Sequence, residues 1–167
     1  MKNATVFLGS LCLFLSFTAC NPESPKPSAT ENSTISKNIH KLFSENKFDE
    51  VMALAADNIQ VVNYATGQTF NGKESFRDFI MGFKTAFPNL VIKHTNVFES
   101  GDQVTLEFEA EGTHTGPLVG PAGTIPPTGK MVKLTVCEIH RIENGKVASI
   151  RNYQDSGSLM RQLGLMN

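Results

Sequence analysis

Residues 103–130 read QVTLEFEAEGTHTGPLVGPAGTIPPTGK, a strand-like segment followed by a loop rich in glycine and proline. In the first eight residues apolar and polar side chains alternate, which is typical of a β-strand with one buried face. Counting on in twos places Phe108 and then His114 on the buried side. Four prolines stiffen the chain between His114 and Lys130. We therefore predict that residues 112–130, the Gly/Pro loop, form the rim of a pocket.

Further strands are predicted on both sides of this stretch. Apolar and β-branched residues indicate strands at about residues 90–99, 131–142 and 146–155, the last two joined by an Asn-Gly hairpin signal. Another β-branched segment, residues 59–64, predicts a strand earlier in the chain. Most of the sheet is expected to be antiparallel, because these strands follow one another without intervening helices.

Apolar residues at helical spacing predict the helices, among them Ile35, Ile39, Leu42 and Phe43 in the first and Phe76, Phe79, Ile80, Phe83 and Phe87 in the third. Two short helices are expected between Ser33 and Ala55, a longer one follows Asn71 and stops at Pro88, and a last one closes the chain. No strand–helix–strand alternation is visible, which argues against a doubly wound parallel sheet. The sequence thus predicts an α+β fold in which helices pack on one face of a curved, antiparallel-rich sheet.

Composition limits the class of protein. The chain has 167 residues, of which 40% are hydrophobic, enough for one globular domain with its own core. Its 15 Lys and Arg balance 16 Asp and Glu, and no basic run or stripe is present to bind phosphates. Nucleic acid is therefore not expected as a partner.

The first residues predict export. A mostly apolar run from Ala4 to Ala19 follows Lys2 and has the length of a signal-peptide core, which is short for a membrane-spanning helix. The run ends in FTAC at Cys20, which resembles a bacterial lipobox although Phe17 stands where leucine is usual. An ordinary secretory cleavage near Ala19 is the main alternative, and an uncleaved membrane anchor is a second one.

The predicted organisation has three parts. Residues 1–19 are interpreted as a lipoprotein signal peptide, residues 20–33 as a flexible tether of Pro, Ser and polar residues, and residues 34–167 as the folded domain. The predicted location is the bacterial cell envelope, where lipid on Cys20 holds the domain at a membrane. Cys137 is then the only cysteine of the domain, which leaves no internal disulfide.

Five different short blocks follow one another along the domain: FKTAFPNL at 83–90, GTHTG at 112–116, PPTGK at 126–130, RIENGK at 141–146, and Asp155 followed by Leu163-Gly164. Their order and spacing resemble those of the SnoaL-like polyketide and ester cyclases, which belong to the nuclear transport factor 2-like superfamily. The resemblance implies a cone of curved sheet capped by N-terminal helices around a hydrophobic pocket, often in a homodimer.

The resemblance also implies a chemistry. In cyclases of this kind an aspartate near the end of the last strand is the acid/base that closes a ring by intramolecular aldol condensation, without metal or cofactor. Asp155 occupies the matching position. A carboxylate can remove a proton next to a carbonyl group when burial raises its pKa. The alternative for Asp155 is a helix N-cap, because the last predicted helix begins just after it.

Other polar residues are candidates for the same pocket. Arg151 and Tyr153 lie at two-residue intervals before Asp155 and share its strand face, although an interface between subunits could also hold them. His114 could polarise a substrate carbonyl, or instead fix the Gly/Pro loop by hydrogen bonds to backbone. Tyr64, on the first strand, and Phe108, on the strand that begins at Gln103, are further candidates for the pocket lining.

The strand at residues 131–142 carries a second set of candidates. Glu138 and His140 share a face with three apolar residues and could form a buried dyad, whereas a bulge would expose both. No metal site is expected, because Cys137 lies in the opposite strand phase to His140 and the sequence has no HxH, HExxH or CxxC spacing.

Three functions are compatible with these features. The first is a cofactor-independent cyclase or isomerase acting on a small hydrophobic carbonyl compound, with Asp155 as acid/base and His114 or His140 assisting. The second is a non-catalytic envelope lipoprotein that binds a small apolar ligand, and the third is a dimerisation module with an empty pocket. The predicted location argues against a simple transfer of function, because polyketide intermediates are made in the cytoplasm.

Overall fold

The computed structural model describes residues 29–166, and the predicted signal peptide and most of the predicted tether lie outside them. In chain order the elements are α1 (Ala29–Ser44), α2 (Phe48–Leu54), β1 (Ala55–Asn63), β2 (Gln68–Asn71), α3 (Gly72–Ala86), β3 (Val91–Ser100), β4 (Gln103–Thr113), β5 (Leu118–Gly120), β6 (Gly123–Ile125), β7 (Met131–Glu143), β8 (Lys146–Gln154) and α4 (Ser156–Leu163). No helix within residues 29–166 has both the length and the apolar character needed to cross a bilayer.

Helix α1 begins at Ala29, inside the segment predicted to be a flexible tether. Asn32 is buried, and its Nδ2 donates to the Gly101 carbonyl oxygen at 3.1 Å. The backbone N–H of Ser33 donates to the Glu99 carboxylate at 3.0 Å. These bonds attach the first turns of α1 to the turn between β3 and β4, so the ordered fold starts before residue 34.

Six strands of the described chain form one mixed sheet in the order β2-β1-β8-β7-β4-β3. Neighbours are antiparallel except β1 and β8, which run parallel. The long strands β4 and β7 stay in register from Gln103↔Arg141 to Thr113↔Met131. With helices α1 and α3 packed against this sheet, the predicted α+β cone is confirmed.

The core lies between the inner face of the sheet and the helices. The predicted alternation in β4 and β7 is confirmed, because the even-numbered apolar residues are buried and the polar residues between them are more exposed. The buried apolar set in these two strands is Val104, Leu106, Phe108, Val132, Leu134, Val136 and Ile142. Full burial of one such side chain stabilises a fold by about 1.5–3 kcal/mol.

The Gly/Pro loop docks on the end of α3. The backbone N–H groups of Thr115 and Gly116 both donate to the Ala86 carbonyl oxygen, at 3.0 and 3.1 Å. Residues of the loop also form the hairpin β5–β6, which was not predicted. None of residues 112–130 lines the cavity described below, so the prediction that this loop forms the pocket rim is wrong.

Replacing Gly116 by alanine is expected to destabilise the fold by about 1–3 kcal/mol. A Cβ at this position would overlap the Thr85 carbonyl oxygen and lie 2.9 Å from the carbonyl carbon, and both are backbone atoms that cannot rotate away. Gly120→Ala is the matched control, because its Cβ would meet only the Gly123 carbonyl oxygen, at 3.8 Å. Equal urea midpoints for the two variants, measured by circular dichroism, would contradict the close contact at Gly116.

Candidate functional site

An apolar cavity of about 80 Å³ lies between the helices and the inner face of the sheet. Polar side chains line it in one region, where His40, Glu138, Asn152 and Gln154 contribute. Much of the remaining wall is aromatic and consists of Phe43, Phe76, Phe79, Phe83 and Phe108. The cavity therefore combines an aromatic surface with a few polar groups, the lining that small-molecule sites have, in a volume below the roughly 300–1,000 Å³ of a drug-sized pocket.

Five polar residues form a hydrogen-bonded group that we call the histidine–glutamate cluster. His40 Nε2 and His140 Nε2 each lie 2.9 Å from the same oxygen of Glu138, Oε2. Asn152 Nδ2 donates to the other oxygen, Oε1, at 2.7 Å. His40 Nδ1 lies 2.9 Å from His94 Nε2. One carboxylate thus holds two imidazoles and an amide, and a third imidazole extends the cluster.

Four separate elements supply the cluster. His40 comes from the inner side of α1, where its neighbour Ile39 is also buried, and His94 comes from β3. Glu138 lies directly opposite Asn152 in the β7–β8 ladder. Glu138 and His140 are buried on the face that strand alternation predicted, with 7% and 0% of their surface exposed.

The cluster keeps Glu138 ionised. Burial favours the neutral acid, but the bonds from His140 and His40 outweigh it and hold the pKa of Glu138 well below its usual range. Burial also lowers the pKa of His140, against the opposing effect of Glu138. Burial and then the neighbouring His40 lower the pKa of His94 to about 4. His94 and His140 are therefore neutral near pH 7.

Two atoms of the cluster have no hydrogen-bond partner among the described residues, namely Asn152 Oδ1 and His140 Nδ1. Leaving a buried polar atom unpaired costs about 1–3 kcal/mol. Asn152 lines the cavity and is 4% exposed. A ligand group that donates a hydrogen bond to Asn152 Oδ1 would therefore bind favourably.

Asp155 lies outside the cavity. Its Oδ1 accepts a hydrogen bond from the Ser158 backbone N–H at 2.9 Å and caps α4, and its Oδ2 lies 3.5 Å from the Arg161 guanidinium. The side chain is 64% exposed and lacks the buried environment that the acid/base role requires. The structure places Asp155 in the alternative role of helix N-cap, which contributes about 1 kcal/mol to stability.

Arg151 and Tyr153 lie on the outer face of the sheet, because β8 contains a bulge. The register between β7 and β8 shifts beside Ala148, which has no partner of its own in β7. A bulge reverses which residues face inward beyond it. Asn152 and Gln154 therefore line the cavity, and the prediction that Arg151 and Tyr153 line it is wrong.

The outer face also carries Tyr64. Its ring stacks on that of Tyr153, with centroids 4.6 Å apart, and both tyrosines are exposed. Arg151 donates to the Gln103 side chain at 3.3 Å on the same face. Of the predicted lining residues, only Phe108 and Glu138 reach the cavity.

His114 is buried but does not line the cavity. Its Nδ1 accepts from the Thr128 backbone N–H at 3.3 Å and lies 3.1 Å from Thr128 Oγ1, and the ring packs against Phe87 with centroids 5.1 Å apart. The backbone of His114 pairs with Gly129 and Lys130. His114 therefore fixes the Gly/Pro loop, the second of the two roles considered for it.

The burial of His114 predicts that stability depends on pH. Burial lowers the pKa of His114 below 6.5, so the unfolded chain takes up this proton more readily than the folded one. The stability that neutral His114 contributes is complete above pH 6.5 and is lost as the pH falls towards the folded pKa. Urea denaturation measures the free energy of unfolding of wild type and of His114→Leu. The difference, wild type minus variant, should decrease from pH 7.5 to pH 5. A difference that stays constant would contradict this effect.

Sequence reasoning missed His40, His94 and Asn152. A useful signal was available for His40, because the predicted helical stripe already included Ile39 and Phe43 and its face also contains His40. His94 follows Ile92 by two residues on a predicted strand and so shares its face, whereas no local pattern marks Asn152, whose position depends on the bulge in β8.

Comparison with known proteins identifies the family. A family model for SnoaL-like polyketide cyclases matches residues 34–163, which is most of the chain. A search of curated proteins finds no significant match. The sequence blocks from which the resemblance was predicted lie within this matched range, apart from the glycine at position 164.

Solved structures share the fold at low sequence identity. A candidate SnoaL-like polyketide cyclase from Jannaschia sp. CCS1 is 20% identical over 87% of this chain and 99% of its own, with a TM-score of 0.76. TsrD from Streptomyces laurentii is 20% identical over 84% of this chain and 100% of its own, with a TM-score of 0.73. An LEH-like epoxide hydrolase from M. tuberculosis is 18% identical over 83% and 96%, with a TM-score of 0.63. The chain therefore belongs to the SnoaL-like polyketide cyclase family.

Proposed function

We propose that this protein binds a small hydrophobic carbonyl compound in its cavity and removes a proton next to the carbonyl group, as a cofactor-independent cyclase or isomerase. The observation that supports the proposal is an ionised carboxylate, Glu138, in the wall of a cavity that is otherwise largely phenylalanine. Family membership supports the same class of ligand and reaction. Glu138 takes the role that the sequence assigned to Asp155.

Glu138 is the group positioned to accept the proton. Both histidines form hydrogen bonds with Oε2 of Glu138. Oε1 accepts a hydrogen bond only from Asn152, so one of its lone pairs remains available. The amide of Gln154 lines the cavity and can donate to the carbonyl oxygen, where negative charge develops as the enolate forms. The phenylalanine wall excludes water, which strengthens both interactions.

His40 and His140 determine how strong this base is. Their bonds stabilise the carboxylate, so Glu138 accepts a proton weakly while all its donors remain in place. A ligand that displaces one donor on binding would make Glu138 more basic. His40 also contacts His94, and this contact extends the cluster to β3 and offers the proton a route out of the cavity.

The same hydrogen bonds support a second candidate function, binding without catalysis. A carboxylate held by three donors suits a fixed contact to a ligand group that donates a hydrogen bond. The unpaired Asn152 Oδ1 offers such a group a second acceptor. The two functions make different predictions for the fate of a bound ketone.

Exchange of α-protons for deuterium tests the proposal without knowledge of the natural substrate. The purified full chain is mixed with cyclohexanone or acetophenone in D₂O, and loss of the α-proton signals is followed by NMR. Exchange faster than in buffer supports catalysis. Saturation transfer to the ketone without faster exchange supports binding alone, and neither signal contradicts both functions. Asp155→Asn is the control and is expected to retain exchange, because Asp155 lies outside the cavity.

We further propose that the protein is exported and anchored in the bacterial envelope by lipid on Cys20. This proposal rests on the apolar N-terminal run and the lipobox-like FTAC sequence. Cys20→Ser should abolish labelling with palmitate and release the protein from membranes, whereas unchanged membrane partition would contradict the anchor. We also propose that the protein forms a homodimer, as the family resemblance implies. Light scattering on the solubilised protein tests this by measuring its mass.

A further inference from the structure

We propose that His40, Glu138 and His140 form a binding site for a divalent transition-metal ion such as Zn²⁺, Co²⁺ or Ni²⁺. The proposal goes beyond the acid/base function and does not depend on it. No metal was expected from the sequence, because that expectation considered His114, Cys137, His140 and Asp155, of which only His140 belongs to the cluster. The partner that the sequence did not reveal is His40, which comes from α1.

The spacing of the three ligand atoms fits one ion. Zinc–nitrogen and zinc–oxygen bonds of about 2.1 Å at tetrahedral angles separate neighbouring ligand atoms by about 3.4 Å. In the structure both Nε2 atoms lie 2.9 Å from Glu138 Oε2, and the candidate ligand atoms of the three residues all lie within 4.8 Å of one another. An ion can therefore contact all three residues with small side-chain movements.

The chemistry of the ligands selects the class of ion. Imidazole nitrogen suits Zn²⁺, Ni²⁺ and Co²⁺, whereas Mg²⁺ and Ca²⁺ prefer a full shell of oxygen atoms. Two imidazoles and one carboxylate supply two nitrogens and one oxygen. No proton needs to leave the site if both imidazoles are neutral, because each moves its proton from Nε2 to Nδ1 as Nε2 binds the ion.

Two of the three ligands have neighbours that fit this arrangement, whereas His140 Nδ1 has no hydrogen-bond partner among the described residues. After the change of tautomer, His40 Nδ1–H can donate to His94 Nε2, which already lies 2.9 Å away. Asn152 holds the free oxygen of Glu138 at 2.7 Å. Hydrogen bonds of this kind fix the orientation of metal-binding histidines and carboxylates. His94 and Asn152 are thus positioning residues in the proposed site.

The charge of Glu138 gives an independent reason to expect a cation. Its side chain is 9% exposed, and among the described residues its only ion-pair partners are His40 and His140. A buried carboxylate is stabilised by a permanent positive charge, which no Lys or Arg of the described chain supplies here. His40 and Glu138 also line the cavity, so remaining coordination positions of the ion can take water or a ligand carbonyl.

Titration of the purified full chain with Zn²⁺ and Co²⁺ tests the site after EDTA treatment and removal of the EDTA. Wild type is expected to bind one ion per chain by calorimetry and to give visible absorption bands of Co²⁺ that differ from those of the hydrated ion. His140→Ala should weaken Zn²⁺ binding by at least about 100-fold, and His94→Gln by about 10–100-fold. His114→Leu removes a buried histidine outside the cluster and should leave binding unchanged.

Absence of Co²⁺ bands in the wild-type protein would overturn the proposal, and so would bands that persist unchanged in His140→Ala. Circular dichroism establishes whether each variant is folded. If His140→Ala does not fold, the Zn²⁺ affinity of His94→Gln decides whether the site exists. An affinity equal to that of wild type would overturn the proposal. Ketone exchange is measured separately in EDTA, so failure of the acid/base function and failure of the metal site give different results.

Discussion

Replacing Glu138 by alanine is expected to lower the free energy of unfolding by about 3–5 kcal/mol, because each buried donor left without an acceptor costs about 1–3 kcal/mol. The substitution removes the acceptor of three buried donors, on His40, His140 and Asn152. No water-exposed position is available to these groups, since each of the three residues is at most 5% exposed. Urea denaturation at pH 7, followed by circular dichroism, measures the loss.

Glu109→Ala is the matched control for this prediction. Glu109 lies on β4, next to β7, and pairs with Lys133 at 2.9 Å with a third of its side chain exposed. An exposed pair of this kind contributes at most about 1 kcal/mol. Equal losses for the two variants would show that the cluster does not stabilise the fold more than a surface ion pair does.

Local patterns predicted much of this fold because they depend on neighbouring residues alone. The two-residue alternation in β4 and β7 placed Phe108, Glu138 and His140 on the inner face, and the structure agrees. The helical stripe in α3 similarly predicted burial of Phe76 and Ile80. Periodicity reports which face of an element is apolar, and the core must cover that face.

The last strand could not be predicted in the same way. Counting in twos from the buried Val147 leads to Arg151, Tyr153 and Asp155, which is the face that the prediction assigned to the pocket. The bulge at Ala148 changes the phase, so Asn152 faces the cavity instead. A bulge is fixed by pairing with β7 and β1, and the strand's own sequence does not show it.

The composition of the cluster depends on contacts between distant parts of the chain. His40 and Glu138 are 98 positions apart, and His40 and His94 are 54 apart. Their meeting requires α1 to pack across the sheet at one particular position. A single sequence carries no local trace of that packing, which explains why the dyad on β7 was predicted and its partners were not.

Replacing Glu138 by glutamine is expected to reduce catalysed α-proton exchange by about 10²–10⁴-fold, the contribution of a positioned general base. Glutamine keeps the volume of the side chain, and its amide oxygen can still accept from the histidines. The amide cannot take up a proton from a carbon acid near neutral pH. The comparison therefore removes the basic group while disturbing the cavity least, and NMR exchange in D₂O measures it.

Asp155→Asn and Glu138→Gln together separate the two carboxylates. Asp155 is exposed and caps α4, so its substitution should change stability slightly and exchange not at all. Loss of exchange in Asp155→Asn with retention in Glu138→Gln would reverse the assignment and return the base to the end of the last strand. Retention in both variants would show that neither carboxylate is the base, and the catalysed exchange would then depend on another group of the protein.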